Sequence, residues 1–423
     1  MQPLTPHWNG HHLQTADGAP FFWMGDTAWE LFHRLERNEI DSFLQTRASQ
    51  GFNVIQAVAL AEFDGLTEPN REGHLPLIDL DPTRPNDAYF SLVDWVFERA
   101  EALGLYIALL PTWGDKVTAV FGGGPVVLRP DNAGVYGGWL ARRYGQRPNV
   151  VWVLGGDRPV IHNGQHDVRP TWRAMGEAIK AATGGRGLIT YHSNPNGEAE
   201  TLDWLHGEAW LDLLMLQSGH GGGHDVPVWD TITRQVQRRP PKPVLDGEPN
   251  YEDHPVNPWP TWDPANGYFR DHDVRKQMYR SVLAGGCGVT YGHHSAWQFA
   301  SERLPYVNHA DRDWRAALVR PGAEQIRYLR ALMDRHPRWM PDQALLAEAP
   351  EGRNQHMRAA RAGDTALVYT PVAQPVRLAL APRDAHWYDP RLGSVRPALT
   401  GDGMTFNPPA DGPDWVLVGR LPG

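Results

Sequence analysis

Cysteine is almost missing from this chain: Cys287 is the single one among 423 residues. One thiol cannot close an intramolecular disulfide, so a small cross-linked scaffold is excluded. Long apolar runs are missing too. No stretch approaches the ~20 residues that cross a bilayer, and no membrane partner is expected. Positive charge is in deficit, with 40 Lys and Arg against 49 Asp and Glu and a formal net charge of −9. No basic stretch stands out, and a nucleic-acid partner needs a positive footprint. Residues 1–18 carry neither a basic start nor an apolar run after it. The expectation is a cytoplasmic protein as given, or a secreted or periplasmic one whose signal has been removed. His-Glu-x-x-His and Cys-cluster patterns are absent, so no metal and no cofactor is expected. No repeat of ~20–50 residues is present.

What is present is a core-forming, tryptophan-rich composition. Hydrophobic residues make up 41%, and there are 18 Trp. Aromatic faces suit a protein that stacks flat apolar surfaces, and sugar rings offer such surfaces. The same Trp could simply fill a core. The length suits one barrel of roughly 250–350 residues and a small appendage.

Apolar runs at 21–25, 53–60, 105–110, 150–154, 188–191, 211–216, 243–245 and 288–291 read as eight strands. Between most of them lie segments with helical spacing, such as Phe90, Val93, Phe97 and Ala100. Asn38 is placed to cap the first helix, which runs to about Gln50. This alternation predicts a (β/α)₈ barrel over 1–336, with a short N-terminal lead-in. A doubly wound open sheet is the rival, but the turn at Gly25-Asp26-Thr27 is no glycine-rich phosphate loop. After Pro337 the helical period stops. Short β-rich runs punctuated by Pro and Gly predict a small β-sandwich over 337–423, an accessory domain.

Barrels of this kind carry their chemistry at the C-terminal ends of the strands. Strand four ends in Gly155-Gly156-Asp157, and strand seven in Asp246-Gly247-Glu248. Glycosidic cleavage needs two facing carboxylates. One protonates the departing oxygen, and the other attacks the anomeric carbon or activates water. Asp157 and Glu248 are therefore the candidate catalytic pair, although an Asp after a strand can also serve as a helix cap or an ion-pair partner. The remaining strand ends offer Asp26 and Trp29, Trp113, His192 and Asn194, Gln217 and His220, then His293, His294 and Trp297. These suit sugar binding through stacking and hydroxyl-directed hydrogen bonds. His192 and His293 could equally satisfy backbone groups. The three glycines between His220 and His224 predict a mobile lid over the cleft rather than a metal site.

Five separated segments resemble the apiosidase-like glycoside hydrolases, a family that includes the family 140 endo-apiosidases. They are 21–30, 51–56, Gly155-Gly156-Asp157, Asp246-Gly247-Glu248 and 291–298, and the resemblance covers roughly residues 10–336. The segment around His386, Trp387 and Tyr388 is similar to the small collagen-binding-type β-domain that often follows such barrels. The resemblance implies a retaining mechanism, with Asp157 as general acid/base and Glu248 as nucleophile. It also implies that Asp26 holds substrate hydroxyls and that His293 and Trp297 line sugar subsites. The expected partner is an oligosaccharide or polysaccharide of plant or microbial origin, with apiose-containing side chains as one candidate. The oligomeric state is left open. The alternatives are a non-catalytic glycan-binding barrel and a metal-dependent barrel hydrolase using His220, His224, His293 and His294.

Overall fold

The computed structural model describes residues 1–164, 166–195, 198–304 and 306–422. Among these residues, eight parallel strands close into a barrel. They are β1 (Trp23–Thr27), β2 (Val54–Leu60), β3 (Tyr106–Thr112), β4 (Val150–Gly155), β5 (Ile189–His192), β6 (Leu214–Gln217), β7 (Val244–Glu248) and β8 (Gly288–Tyr291). Each strand is followed by a helix on the outside: α1 (Arg37–Gln50), α2 (Asp87–Ala102), α3 (Pro130–Tyr144), α4 (Arg169–Ala182), α5 (Glu198–His206), α6 (Val228–Val236), α7 (Asp271–Leu283) and α8 (Pro321–Arg335). β8 pairs with β1 to complete the ring.

The strands read as unbroken apolar runs because both of their faces are covered. Along β2, Val54 and Val58 point into the barrel with Tyr106, Val151 and Met215. Ile55, Ala57 and Ala59 point outward against the helices. Gln56 faces inward and donates to the Gly247 carbonyl at 3.0 Å, tying β2 to β7 across the barrel. A small antiparallel sheet (Leu4–Pro6, Leu13–Thr15, Pro20–Phe21) sits at the opposite end from the strand C-termini, where Leu4 and Leu13 join the inner core.

The start of the first helix differs from expectation. α1 is opened by Glu36, not Asn38, because Glu36 and Glu39 cap each other's backbone reciprocally. Gly51, at φ +98°, closes it. The helix α5 between β5 and β6 is an addition to the sequence reading, since its start has little apolar period.

The chain then forms an antiparallel sheet from β9 (Met340–Pro341), β10 (Arg358–Ala362), β11 (Thr365–Thr370), β13 (Asp384–Tyr388), β14 (Val395–Pro397) and β16 (Trp415–Arg420), in the order 9-10-11-16-13-14. A ribbon of β12 (Val376–Arg377) and β15 (Thr405–Phe406) stands apart from it. Leu367, Tyr369, Val416 and Val418 pack on Met278, Tyr279 and Leu329 of α7 and α8. The alternate residues Val368, Trp415 and Leu417 pack under the ribbon with Val376 and Phe406. The expected sandwich is therefore lopsided, with barrel helices covering one face of the sheet and two short strands the other.

A buried ion pair joins the barrel to this sheet. Arg275 on α7 donates from Nε and Nη2 to the two Asp414 oxygens, at 2.8 and 2.7 Å. Tyr369 donates to the same carboxylate. Breaking such a pair leaves a buried charge without compensation, which costs about 3–5 kcal/mol. Arg275→Met is expected to lower unfolding stability by that amount in chemical denaturation; a change within 1 kcal/mol, on the order of a surface substitution, would show the pair to be energetically idle.

Candidate active site

A cavity of about 980 Å³ opens at the C-terminal mouth of the barrel. Asp157 and Glu248 both line it, with Trp29, Trp113, Asn194, Gln217, His220, His294 and Trp297. Ten of the twelve proposed site residues thus bear on this space, nine of them directly and His192 from beneath.

Glu248 reaches the cavity because of an irregularity in the strand. Leu245 faces the barrel interior and Asp246 faces out, where Ser218 and Ser281 donate to it at 2.8 and 2.7 Å. Strict alternation would turn Glu248 outward as well. The β6–β7 register shifts at this point, pairing Leu216 with Asp246 but Gln217 with Glu248. Gly247 is the extra residue, and its insertion re-aims Glu248 at the mouth. A Cβ on Gly247 would come within 2.6 Å of the Met215 sulfur, so a larger residue here would have to displace that side chain.

The Glu248 carboxylate accepts three hydrogen bonds. His192 Nε2 lies 2.8 Å from Oε2; His220 Nε2 and Gln217 Nε2 each lie 2.9 Å from Oε1. Burial alone would raise its pKa, but the hydrogen bonds and charges of His192 and His220 overcome that and hold it down to about 2. Both imidazoles turn Nε2 toward the carboxylate, so both act as donors there. Tyr251, which accepts from Trp29 Nε1 at 3.2 Å, is buried beside Glu248, and its phenol is held well above the usual range.

Asp157 stands on strained backbone. Gly155, Gly156 and Asp157 have φ of +89°, +122° and +49°. A Cβ on Gly155 would meet the His192 carbonyl at 2.3 Å, and one on Gly156 the Trp113 ring at 2.8 Å. Only glycines allow this turn, and the turn delivers Asp157 to the cavity. Its carboxyl has no comparable donors: Arg158 Nη1 is 3.7 Å from Oδ2, beyond hydrogen-bonding range. Burial and the charge of Glu248 raise its pKa to about 6, against the opposing pull of Arg158, His192 and His220.

Two expectations are corrected. Asp26 does not reach the cavity. Trp23 faces the barrel interior, so two-residue alternation sends Asp26 outward, where it meets Arg47 of α1 at 2.7 Å. The pair is completely buried and ties β1 to α1. His293 likewise points away. Its Nδ1 accepts from the Ser295 N–H and caps a short helix, while its Nε2 faces Asp253 at 3.1 Å. His192 is corrected in role. It is fully buried under Trp29 and Trp113 and touches Glu248 rather than the open cavity.

Of the glycines expected to form a lid, Gly221 and Gly222 line the cavity. Ser218 and Gly219 donate to the Glu248 carbonyl, and His220 N–H donates to Asn250 at 2.7 Å. This segment is pinned to β7 and holds His220 in place. His224 pairs instead with Asp273, at 2.9 Å near the surface. His294 donates from Nε2 to the Asn308 carbonyl at 2.7 Å and accepts from Trp297, and burial brings its pKa to about 3. Among the described residues, no three His, Cys, Asp or Glu are grouped to hold a metal ion. Nor is any helix of the described residues long and apolar enough to cross a membrane.

The sequence reading missed Glu62, Arg158, Tyr251 and His254, which also line the cavity. Glu62 lies two residues past β2, and the strand-end rule applied to β2 would have found it. Arg158 Nη2 lies 3.2 Å from its Oε1. Burial, reinforced by Asp115 and Asp157, raises the Glu62 pKa to about 8.

Solved structures follow this chain along nearly its whole length. One titled a glycoside hydrolase is 28% identical, with 99% of this chain and 97% of that one covered and a TM-score of 0.87. A glycoside hydrolase family 5 protein from Bacteroides vulgatus is 29% identical, at 99% and 92% coverage and the same TM-score. A family 30 endoxylanase from Clostridium papyrosolvens shares the fold alone, at 11% identity, 95% and 96% coverage and a TM-score of 0.53. Among curated proteins, none matches. Barrel, cavity and the two full-length likenesses together support a place among the glycoside hydrolases. More narrowly, residues 7–340 match the model of the apiosidase-like catalytic domain, and the chain belongs to that family. Residues 340–419 match the model described as "Putative collagen-binding domain of a collagenase".

Proposed function

We propose that this protein is a retaining glycosidase in which Glu248 is the nucleophile and Asp157 the general acid/base. One observation carries the reading: Asp157 and Glu248 share one cavity, and their surroundings push their proton affinities apart, to about 6 for Asp157 and about 2 for Glu248. A pair separated in this way divides into one acid and one ionised partner.

In the first step the Glu248 carboxylate attacks the anomeric carbon. The bond to the leaving oxygen breaks, and the Asp157 proton passes to that oxygen. In the second step the Asp157 carboxylate takes a proton from water. The water oxygen then bonds to the anomeric carbon, and Glu248 departs. Trp29, Trp113 and Trp297 line the cavity where ring faces can stack on the sugar, with Asn194 on the same lining. The family supports an apiose-containing plant or microbial glycan as substrate.

A panel of aryl glycosides, with the first released anomer followed by proton NMR, tests this reading. Retained configuration is expected, and an inverted first product would rule out the covalent route. The pH profile adds an independent check. Asp157 must be protonated, so kcat/KM should fall as pH rises through about 6. Glu248 must be ionised, so the acid limb should appear only near pH 2. A basic limb that stays unchanged in Asp157→Asn would assign that titration to another group.

A further inference from the structure

The glycosidase reading accounts for the centre of the cavity but not for its rim. At about 980 Å³ the space is at the upper end of the ~300–1,000 Å³ typical of small-molecule sites, more than one sugar ring needs. Two large aromatic side chains on its lining are mostly exposed, Phe121 at 61% and Trp259 at 62%. Single exposed apolar residues are ordinary and need no explanation. Trp8, at 88%, is more exposed still and lines no part of this cavity. Position and local construction are what set Phe121 and Trp259 apart.

Phe121 lies on the loop after β3, and Trp259 on the loop after β7. In the ring of eight strands, β3 and β7 are diametrically opposed. The two rings are thus carried by loops that leave opposite sides of the barrel and line the same cavity as Asp157 and Glu248.

The Phe121 loop is built at a cost. Phe121 has φ +69°, a left-handed conformation that a bulky residue rarely adopts. Its loop is fastened from below by a fully buried pair, Asp115 and Lys116. Asp115 accepts from the Gly124 N–H at 3.0 Å. Lys116 donates to the carbonyls of Gly124 at 2.8 Å and Phe63 at 3.2 Å. Strain and a buried anchor thus hold an apolar ring where water reaches it. On the other rim, Trp259 lies 5.9 Å from the His254 ring, which stacks on His220 at 4.2 Å, so an aromatic path runs from this rim to Glu248.

We propose that Phe121 and Trp259 are distal sugar-stacking platforms on either side of the catalytic pair. The glycan cut here then carries sugar residues on both sides of the cleaved bond. This inference rests on the glycosidase reading and adds to it the two side chains that hold the sugars flanking the cleaved bond.

The test compares wild type with Phe121→Ala and Trp259→Ala on two probes, 4-nitrophenyl apioside and an apiose-containing pectic oligosaccharide. Circular dichroism and melting curves check that the variants fold. Each variant is expected to lose about three- to tenfold in kcat/KM on the oligosaccharide, the range for one aromatic contact, and markedly less on the aryl apioside. Equal losses on both probes, no loss on the oligosaccharide, or a wild type that cuts only the aryl apioside would overturn the proposal. If wild type cuts neither probe, the choice of apiose fails on its own, and calorimetry with the oligosaccharide decides the platforms. Weaker binding in both variants then supports them; unchanged binding, or none by wild type, removes them.

Discussion

Glu248→Gln is expected to lower turnover by at least about 10⁴-fold, the scale seen when a nucleophile is removed from a set of groups acting as a unit. The amide is a poor nucleophile, and the covalent intermediate cannot form in the ordinary way. A second effect follows from the three donors around the carboxylate. His192 and His220 approach different oxygens of Glu248, at 2.8 and 2.9 Å. An amide presents one oxygen and one NH₂, so one imidazole faces a donor instead of an acceptor. That conflict is worth about 1–3 kcal/mol of stability. The expected result is therefore a folded protein with a lowered melting temperature and almost no turnover. Steady-state kinetics beside a thermal melt measure both. Activity within tenfold of wild type would mean that Glu248 is not the attacking group.

Asp157→Asn should behave differently, because its role depends on the leaving group. An unactivated glycoside needs a proton on the departing oxygen, and losing it is expected to cost roughly 10²–10⁴-fold. A dinitrophenyl glycoside leaves without that proton, so its first step should be nearly spared. The second step still lacks a base, and the covalent intermediate should accumulate as a burst. Azide, which needs no deprotonation, should restore turnover in Asp157→Ala and give a glycosyl azide of retained configuration. Equal losses on both kinds of substrate, with no azide effect, would make Asp157 a positioning group. The neighbouring Glu62, which faces the same Arg158 guanidinium at 3.2 Å, would then be the acid to examine.

The barrel was legible because its signals are local. Each strand announces itself as a short apolar run, and the helices between β1 and β5 and after β7 and β8 show their period. The strand ends pointed to the mouth, and most residues taken from them line one cavity. The failures also have a local cause. Asp26 and His293 sit at strand ends of the right sequence but of the wrong parity. Counting by two from Trp23 would have turned Asp26 toward the helices. The same counting applied to β7 would have turned Glu248 outward and been wrong, because the shift at Gly247 resets the alternation. Asx, glycine and bulge positions are weakly encoded in one sequence, so parity near a strand end is the least secure inference.

By itself, the order of residues determined the class of fold, the two carboxylates worth testing and the change of architecture after Pro337, because apolar period and strand-end chemistry are properties of neighbours in the chain. The tertiary structure decided which of those side chains share a space. It set three donors on Glu248 and left Asp157 without any comparable set, and it buried Asp26 against Arg47. Those outcomes depend on groups brought together from distant strands, and a proton's affinity for a carboxyl is settled by such neighbours in space.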